Sequence, residues 1–172
     1  MLILEAGVVK LVYTIDSKSI GGNSVRVQVP SPACSSIHHL LIHRYEKGCV
    51  RILDRRIYPE KITYVECSSW QEVRQAIADM VTQSAGPYTA AAMGMALAAY
   101  QVRNQAAEKQ RRFLEEAAQG LAHARPTTAN RMGQITAGSL AVAKGALNAG
   151  QDIVTALFNT AIDSLNRRYS IM

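Results

Sequence analysis

The chain has 172 residues, 48% of them apolar, and a formal net charge of +6. That suits one well-buried domain with a small appendage. The charge allows contact with nucleic acid, anionic lipid or phosphorylated metabolites. The basic residues are scattered, however, in pairs such as Arg55-Arg56, Arg111-Arg112 and Arg167-Arg168. With no basic run and no aromatic platform, a nucleic-acid binder is disfavoured.

Cys34, Cys49 and Cys67 are odd in number and far apart, which points to reduced thiols in a cytoplasmic protein. The start Met-Leu-Ile-Leu-Glu has no basic n-region and no small-residue cleavage site. No apolar run reaches the ~20 residues that span a bilayer, so no membrane contact is expected.

In chain order, residues 8–15 and 25–29 are β-branched, flank Gly21-Gly22-Asn23, and predict a hairpin within an N-terminal extension, 1–37. Next come His38, His39 and His43. His39 and His43 share a face whether the stretch is helix or strand, but no carboxylate or cysteine completes a ligand set, so no metal site is assigned. Short strand patterns at Cys49–Leu53 and Ile62–Cys67 predict a small antiparallel sheet over 38–68.

From Ser69 to the C-terminus the pattern is helical, giving a bundle over 69–172. Ser69 and Glu72 form a capping box, followed by Val73, Ala76, Ile77 and Met80 at helical spacing. Ser84-Ala85-Gly86-Pro87 ends that helix and Pro87 starts the next, which is Ala-rich to about Val102, with a break near 103–106. Phe113, Leu114, Ala117 and Leu121 mark a further stripe. Beyond it, Met132, Ile135, Ser139, Val142 and Ala146 share a face, and Gly133, Gly138 and Gly145 would allow close helix approach. Asn148-Ala149-Gly150 is a stop. The last helix carries Ile153, Val154, Leu157, Phe158, Ala161, Ile162 and Leu165, with Asp152 at its start. The expected core is Val73, Ile77, Met80, Leu97, Phe113, Leu121, Ile135, Val142, Val154, Leu157, Phe158, Ile162 and Leu165.

Between two of these helices lies Ala124-Arg125-Pro126-Thr127-Thr128-Ala129-Asn130. Pro126 suits a first helical turn, where an amide goes unpaired anyway. Arg125 beside that start can grip two oxygens of a phosphate or carboxylate. The alternative is an arginine that caps a neighbouring helix.

Several stretches together resemble a known family: Val50-Arg51-Ile52-Leu53-Asp54-Arg55-Arg56, Tyr64-Val65-Glu66-Cys67, Asp79-Met80-Val81, Ala92 to Ala98, and the Arg125-Pro126-Thr127 signature. They are similar to the N-terminal half of the methylthioribose-1-phosphate isomerases of methionine salvage. That family takes in ribose-1,5-bisphosphate isomerases and regulatory subunits of translation initiation factor 2B. The resemblance covers residues 40–170. It implies an α+β fold, a small antiparallel β-sheet followed by an all-helical bundle, lacking the family's C-terminal Rossmann-like domain with its catalytic cysteine and aspartate.

The resemblance also implies substrate-phosphate contact at Arg125. Gln83, Ser84, Ala85 and Gly86 stand, with one position of slippage, where the family has an Arg-Gly-Ala-Pro loop that touches substrate. No catalytic residue, metal or cofactor is assigned to the chain. The implied ligand is a phosphorylated sugar, and the implied partner a second copy or a separate Rossmann-like C-terminal chain. A non-catalytic initiation-factor-2B-like module, for interaction or for sensing a phosphorylated ligand, is the alternative function.

Overall fold

The computed structural model describes residues 43–46 and 48–169, with side chains from Gly48 to Ser164. The expected hairpin at 8–15 and 25–29, Cys34, His38 and His39 lie outside the described residues. So do the side chains of His43 and Leu165.

Strands β1 (His43–Glu46), β2 (Cys49–Leu53) and β3 (Tyr64–Cys67) form one antiparallel sheet in the order β1-β2-β3. Period-two alternation turns Val50 and Ile52 inward, and the register pairs Val50 with Cys67 on the buried face. The third strand begins at Tyr64, two residues later than expected. Leu53, the last residue of β2, is already paired with Tyr64, so Ile62 has no strand residue opposite it and is 56% exposed.

Helix α1 (Trp70–Ala78) opens on the predicted cap: Ser69 Oγ accepts from Glu72 N–H at 3.2 Å. Glu72 Oε2 reaches back to accept from Ser68 N–H at 2.6 Å, one residue before the cap itself. The helix stops sooner than expected. Met80 N–H donates to Ile77 O and Val81 N–H donates to Ala76 O, the paired bonds of a Schellman ending, and Met80 holds the left-handed position at φ 61°. The chain therefore reverses at Met80, which is 46% exposed and not core, while Val81 folds back into the interior.

Helix α2 (Gly86–Val102) is apolar on every side and buried on every side, as a helix enclosed by others must be. It touches α1, β2, α3 (Ala107–Ala122), α4 (Ala129–Asn148) and α5 (Ile153–Tyr169). Among the described residues no strand follows Cys67. The break at 103–106 is present, stapled by Gln110, whose side-chain amide donates to Arg103 O and Gln105 O. The stop at 148–150 repeats the Schellman pattern with Gly150 at φ 65°. Asp152 then caps α5, accepting from Val154 and Thr155 amides at 3.2 and 3.0 Å.

The core runs through sheet and helices together, with Val50, Ile52, Val73, Ile77, Met93, Leu97, Leu114, Leu121, Met132 and Leu157 almost fully buried. Phe113, Ile135, Val154, Phe158 and Ile162 are partly buried against it. Val142 is a correction, being 36% exposed. The buried seam of α4 is Met132, Thr136, Ser139, Ala143 and Ala146, turned by about one residue from the expected stripe. Nor do Gly133, Gly138 and Gly145 bring helices close, since a Cβ on any of them would meet nothing.

Close approach happens at Gly120, where an added Cβ would collide with the six-membered ring of Trp70. That ring is held edge-on to Phe113, with centroids 6.4 Å apart, and has little room to retreat. Gly120→Ala should lower stability by about 1–2 kcal/mol, because overpacking outweighs the ~1 kcal/mol gain in helix propensity. Urea unfolding at an unchanged or higher midpoint would contradict this packing.

Candidate functional site

Arg125 precedes a proline and is extended, at φ −145° and ψ 123°, as the proline ring requires. Pro126 begins a single 3-10 turn, Pro126–Thr128, ahead of α4. From there the Arg125 side chain crosses to the end of α1, where Nη2 donates to Ile77 O and Thr82 O, both at 3.0 Å. These carbonyls lie at and just beyond the negative end of a helix, so a guanidinium is favoured there by both hydrogen bonding and the helix dipole. The helix-capping role weighed for Arg125 is thus occupied through one of its nitrogens.

The same bonds bring Arg125 to the second sequence-derived stretch. Thr82 leads directly into Gln83, Ser84, Ala85 and Gly86, a turn closed by Gly86 N–H donating to Gln83 O at 2.9 Å. Ser84 sits at φ 56°, a left-handed position more often given to glycine. Gln83, Ala85 and Gly86 are half-buried and Ser84 is exposed. Helix α2 starts at the end of this turn. Pro87 lies in its first turn, with no side-chain cap and no acidic residue to neutralise the amide end.

Two polar groups here are buried without a hydrogen-bond partner among the described residues: Arg125 Nε and the hydroxyl of the fully buried Thr82. Buried polar groups are nearly always paired, so two such groups on adjoining segments need explanation. On the other side of the turn, Arg55 N–H donates to Val81 O at 2.8 Å. Asp54 takes a bidentate grip from Arg56, Nε to Oδ1 at 2.9 Å and Nη2 to Oδ2 at 2.7 Å. That hydrogen-bonded pair holds the Asp54 carboxyl below the usual carboxylate range. Sequence reasoning missed Thr82 and the Asp54–Arg56 pair. Asp54 and Arg56 stood within a family-like stretch, whereas the Ile77 and Thr82 carbonyls have no sequence signal at all.

The cysteines are elsewhere. Cys67 is on the buried face of the sheet, where burial pushes its thiol up to about 12, and Cys49 on β2 is also raised by burial. Neither is a thiolate at neutral pH. Among the described residues there is no cluster of His, Cys, Asp or Glu able to hold a metal ion, and no helix is long and apolar enough to cross a membrane.

A small antiparallel sheet feeding a helical bundle makes this an α+β domain, an architecture shared with a methylthioribose phosphate isomerase and an initiation-factor subunit. The chain is similar in sequence to methylthioribose-1-phosphate isomerases over part of their length, and it shares its fold with a solved isomerase of that name and with an initiation factor 2B subunit. It is 31% identical to the methylthioribose-1-phosphate isomerase of Nostoc punctiforme over 127 residues, 73% of this chain and 36% of that protein. It is 39% identical to the enzyme of the same name from an Anaeromyxobacter species over 89 residues, 50% of this chain and 25% of that protein. Among solved structures, the eIF-2B delta subunit of A. fulgidus superposes with a TM-score of 0.63 at 24% identity, covering 74% of this chain and 36% of that one. The 5-methylthioribose 1-phosphate isomerase of Pyrococcus horikoshii gives 0.61 at 23%, covering 71% and 36%. No protein-family profile matches. The chain thus spans at most 36% of the length of these relatives.

Two outcomes follow from the geometry. Arg125→Ala leaves two carbonyls without their charged donor and should destabilise the fold by about 1–3 kcal/mol, read as a lower urea midpoint. Asp54 has a folded pKa below its unfolded value of about 3.9, so its contribution is complete above that pH and is lost as pH falls through the lower folded value. In unfolding curves measured across the acid range, Asp54→Asn should be less stable at neutral pH and should show a flatter acid limb. A parallel downward shift with no change of slope would count against the pair.

Proposed function

We propose that the chain is the N-terminal, substrate-phosphate-side domain of an aldose–ketose isomerase related to the methylthioribose-1-phosphate isomerases, and that it is inactive alone. What carries the reading is the meeting of Arg125 with the Gln83–Gly86 turn, two stretches about forty residues apart in sequence, around the two unpaired buried donors. Arg125 Nε and the Thr82 hydroxyl are both able to donate, which suits an oxyanion such as a sugar phosphate.

Isomerising a phosphorylated aldose moves a proton or hydride between C1 and C2, and needs an acid–base pair within hydrogen-bond reach of both carbons. Both described thiols are protonated and belong to the sheet, so in this reading the acid–base groups come from outside residues 43–169. A Rossmann-like chain or a second copy is the partner that would supply them.

A second reading, a non-catalytic initiation-factor-2B-like module for interaction or phosphate-ligand sensing, is favoured by two observations. Gln83 carries no charge where the family pattern places an arginine, and Arg125 Nη2 is committed to backbone carbonyls.

Calorimetry with methylthioribose-1-phosphate, with a parallel turnover assay, tests both. Wild type should bind weakly without turnover, Gln83→Arg should tighten binding roughly tenfold by adding a fork of donors, and Arg125→Lys should weaken it. Affinity indifferent to both substitutions would remove the turn from the site. Turnover by the chain alone would overturn the inactive-domain reading, and binding that stays silent when a Rossmann-like partner chain is added would favour the sensing module.

A further inference from the structure

A sugar phosphate carries close to two negative charges at neutral pH. Among the residues placed at the candidate site, Arg125 is the one charged group, since Gln83 on the turn is neutral. The segment beside the turn can supply a second charge. At the base of the β2–β3 loop three ionised side chains stand in a row, Asp54, Arg55 and Arg56.

Two of the three neutralise each other. Asp54 takes both forks of Arg56 and also accepts from the Arg56 amide at 3.0 Å. Asp79, at the end of α1, accepts from the Gln75 side-chain amide at 2.7 Å. Arg55 is left over. Among the described residues its guanidinium forms no ion pair and lies 5.5 Å from the centroid of the Tyr58 ring. A cation–π contact at a half-exposed position is weak, and the guanidinium can exchange it for an anion. The backbone of the same residue is already bonded to the site: Arg55 N–H donates to Val81 O at 2.8 Å, and Val81 runs directly into Thr82 and Gln83. The Asp54–Arg56 grip fixes the peptides on either side of that bond. Hydrogen-bonded extended segments lie about 4.8 Å apart, within the span of an arginine side chain. Arg55 therefore stands one backbone bond from the segment where the Thr82 hydroxyl and Arg125 Nε lack partners.

We propose that Arg55 is a binding residue of the candidate site, turning from Tyr58 to give a sugar phosphate its second guanidinium and supplying the charge that Gln83 does not bring. This rests on the phosphate-side reading above. Calorimetry tests it with methylthioribose-1-phosphate and, in parallel, with methylthioribose lacking the phosphate, on the full chain and on variants whose folding is checked by circular dichroism. Arg55→Gln keeps the backbone bond to Val81 and removes only the guanidinium. It should weaken binding of the phosphorylated compound roughly tenfold and leave any affinity for the unphosphorylated one unchanged. Arg55→Lys, which keeps the charge and loses the fork, should fall between Arg55→Gln and wild type. Lys61→Gln removes an exposed charge from the same loop and should change neither affinity.

Tyr58→Leu separates the contact from damage to the loop, because its expected effect has the opposite sign. It takes away the ring that competes for the guanidinium and should tighten binding of the phosphorylated compound roughly two- to fivefold. An Arg55→Gln variant that binds like wild type, while Arg125→Lys weakens binding, would overturn the role of Arg55 and leave the phosphate-side reading standing. Equal losses in Arg55→Gln and Lys61→Gln would overturn it as well, as an effect of loop charge at a distance. A wild type with no affinity for the phosphorylated compound would overturn both.

Discussion

Everything in the fold is arranged around a helix that has no outside. Helix α2 meets the other four helices and the sheet, and it does so with Ala90, Ala91, Ala92, Ala96, Ala98 and Ala99. Alanine is the best helix former and loses no side-chain entropy on burial, so a helix of this composition is cheap to enclose. It brings little apolar area of its own. That is supplied by its Met93, Met95 and Leu97 and by larger side chains on its neighbours, including Ile77, Leu114, Leu121, Met132 and Leu157. A slender centre with bulky surroundings fixes where each neighbouring helix begins, and so fixes the turn at 79–86 through which the chain enters α2.

The candidate site is accordingly built from helix ends and connections. The end of α1, the segment leading towards α2 and the approach to α4 meet at one guanidinium, and the base of the β2–β3 loop adds a backbone bond from the other side. Backbone carbonyls hold the arginine in place. Gln83 and Ser84 sit on the turn itself, the first half-buried and the second exposed. Relatives share the fold, and a shared fold does not by itself fix the chemistry of such a turn.

Periodicity and capping rules placed most of the helices, the Cys49–Leu53 strand and the 103–106 break, because those features depend on residues within one turn of each other. The departures have particular causes. Met80 followed the helical spacing of α1, yet the helix had already closed in a Schellman ending without the glycine that usually announces one. On α4, hydrophobicity pointed to Ile135 and Val142, while the helix buries Thr136 and Ala143 beside the expected Met132, Ser139 and Ala146. The hydroxyls of Thr136 and Ser139 bond back to Gly133 O and Ile135 O on the same helix, which lets these polar side chains be buried in the seam. Both halves of the site were legible as separate stretches. Their meeting was not, since it runs through the carbonyls of Ile77 and Thr82, which any residue would offer.

Arg125 joins two carbonyls five positions apart, and every residue between them lies in a helix end or a tight reversal. This makes residues 77–82 behave as one opening unit, whose escape from the native state requires the guanidinium to let go of both ends at once. The amides of Met80 and Val81, which donate to Ile77 O within that unit and to Ala76 O at its edge, would therefore exchange with solvent deuterium at a common rate. Substitutions of Arg125, 48 and 43 residues along the chain from the Ile77 and Thr82 carbonyls, would be felt there first, as a local loss of protection ahead of any change in the bundle.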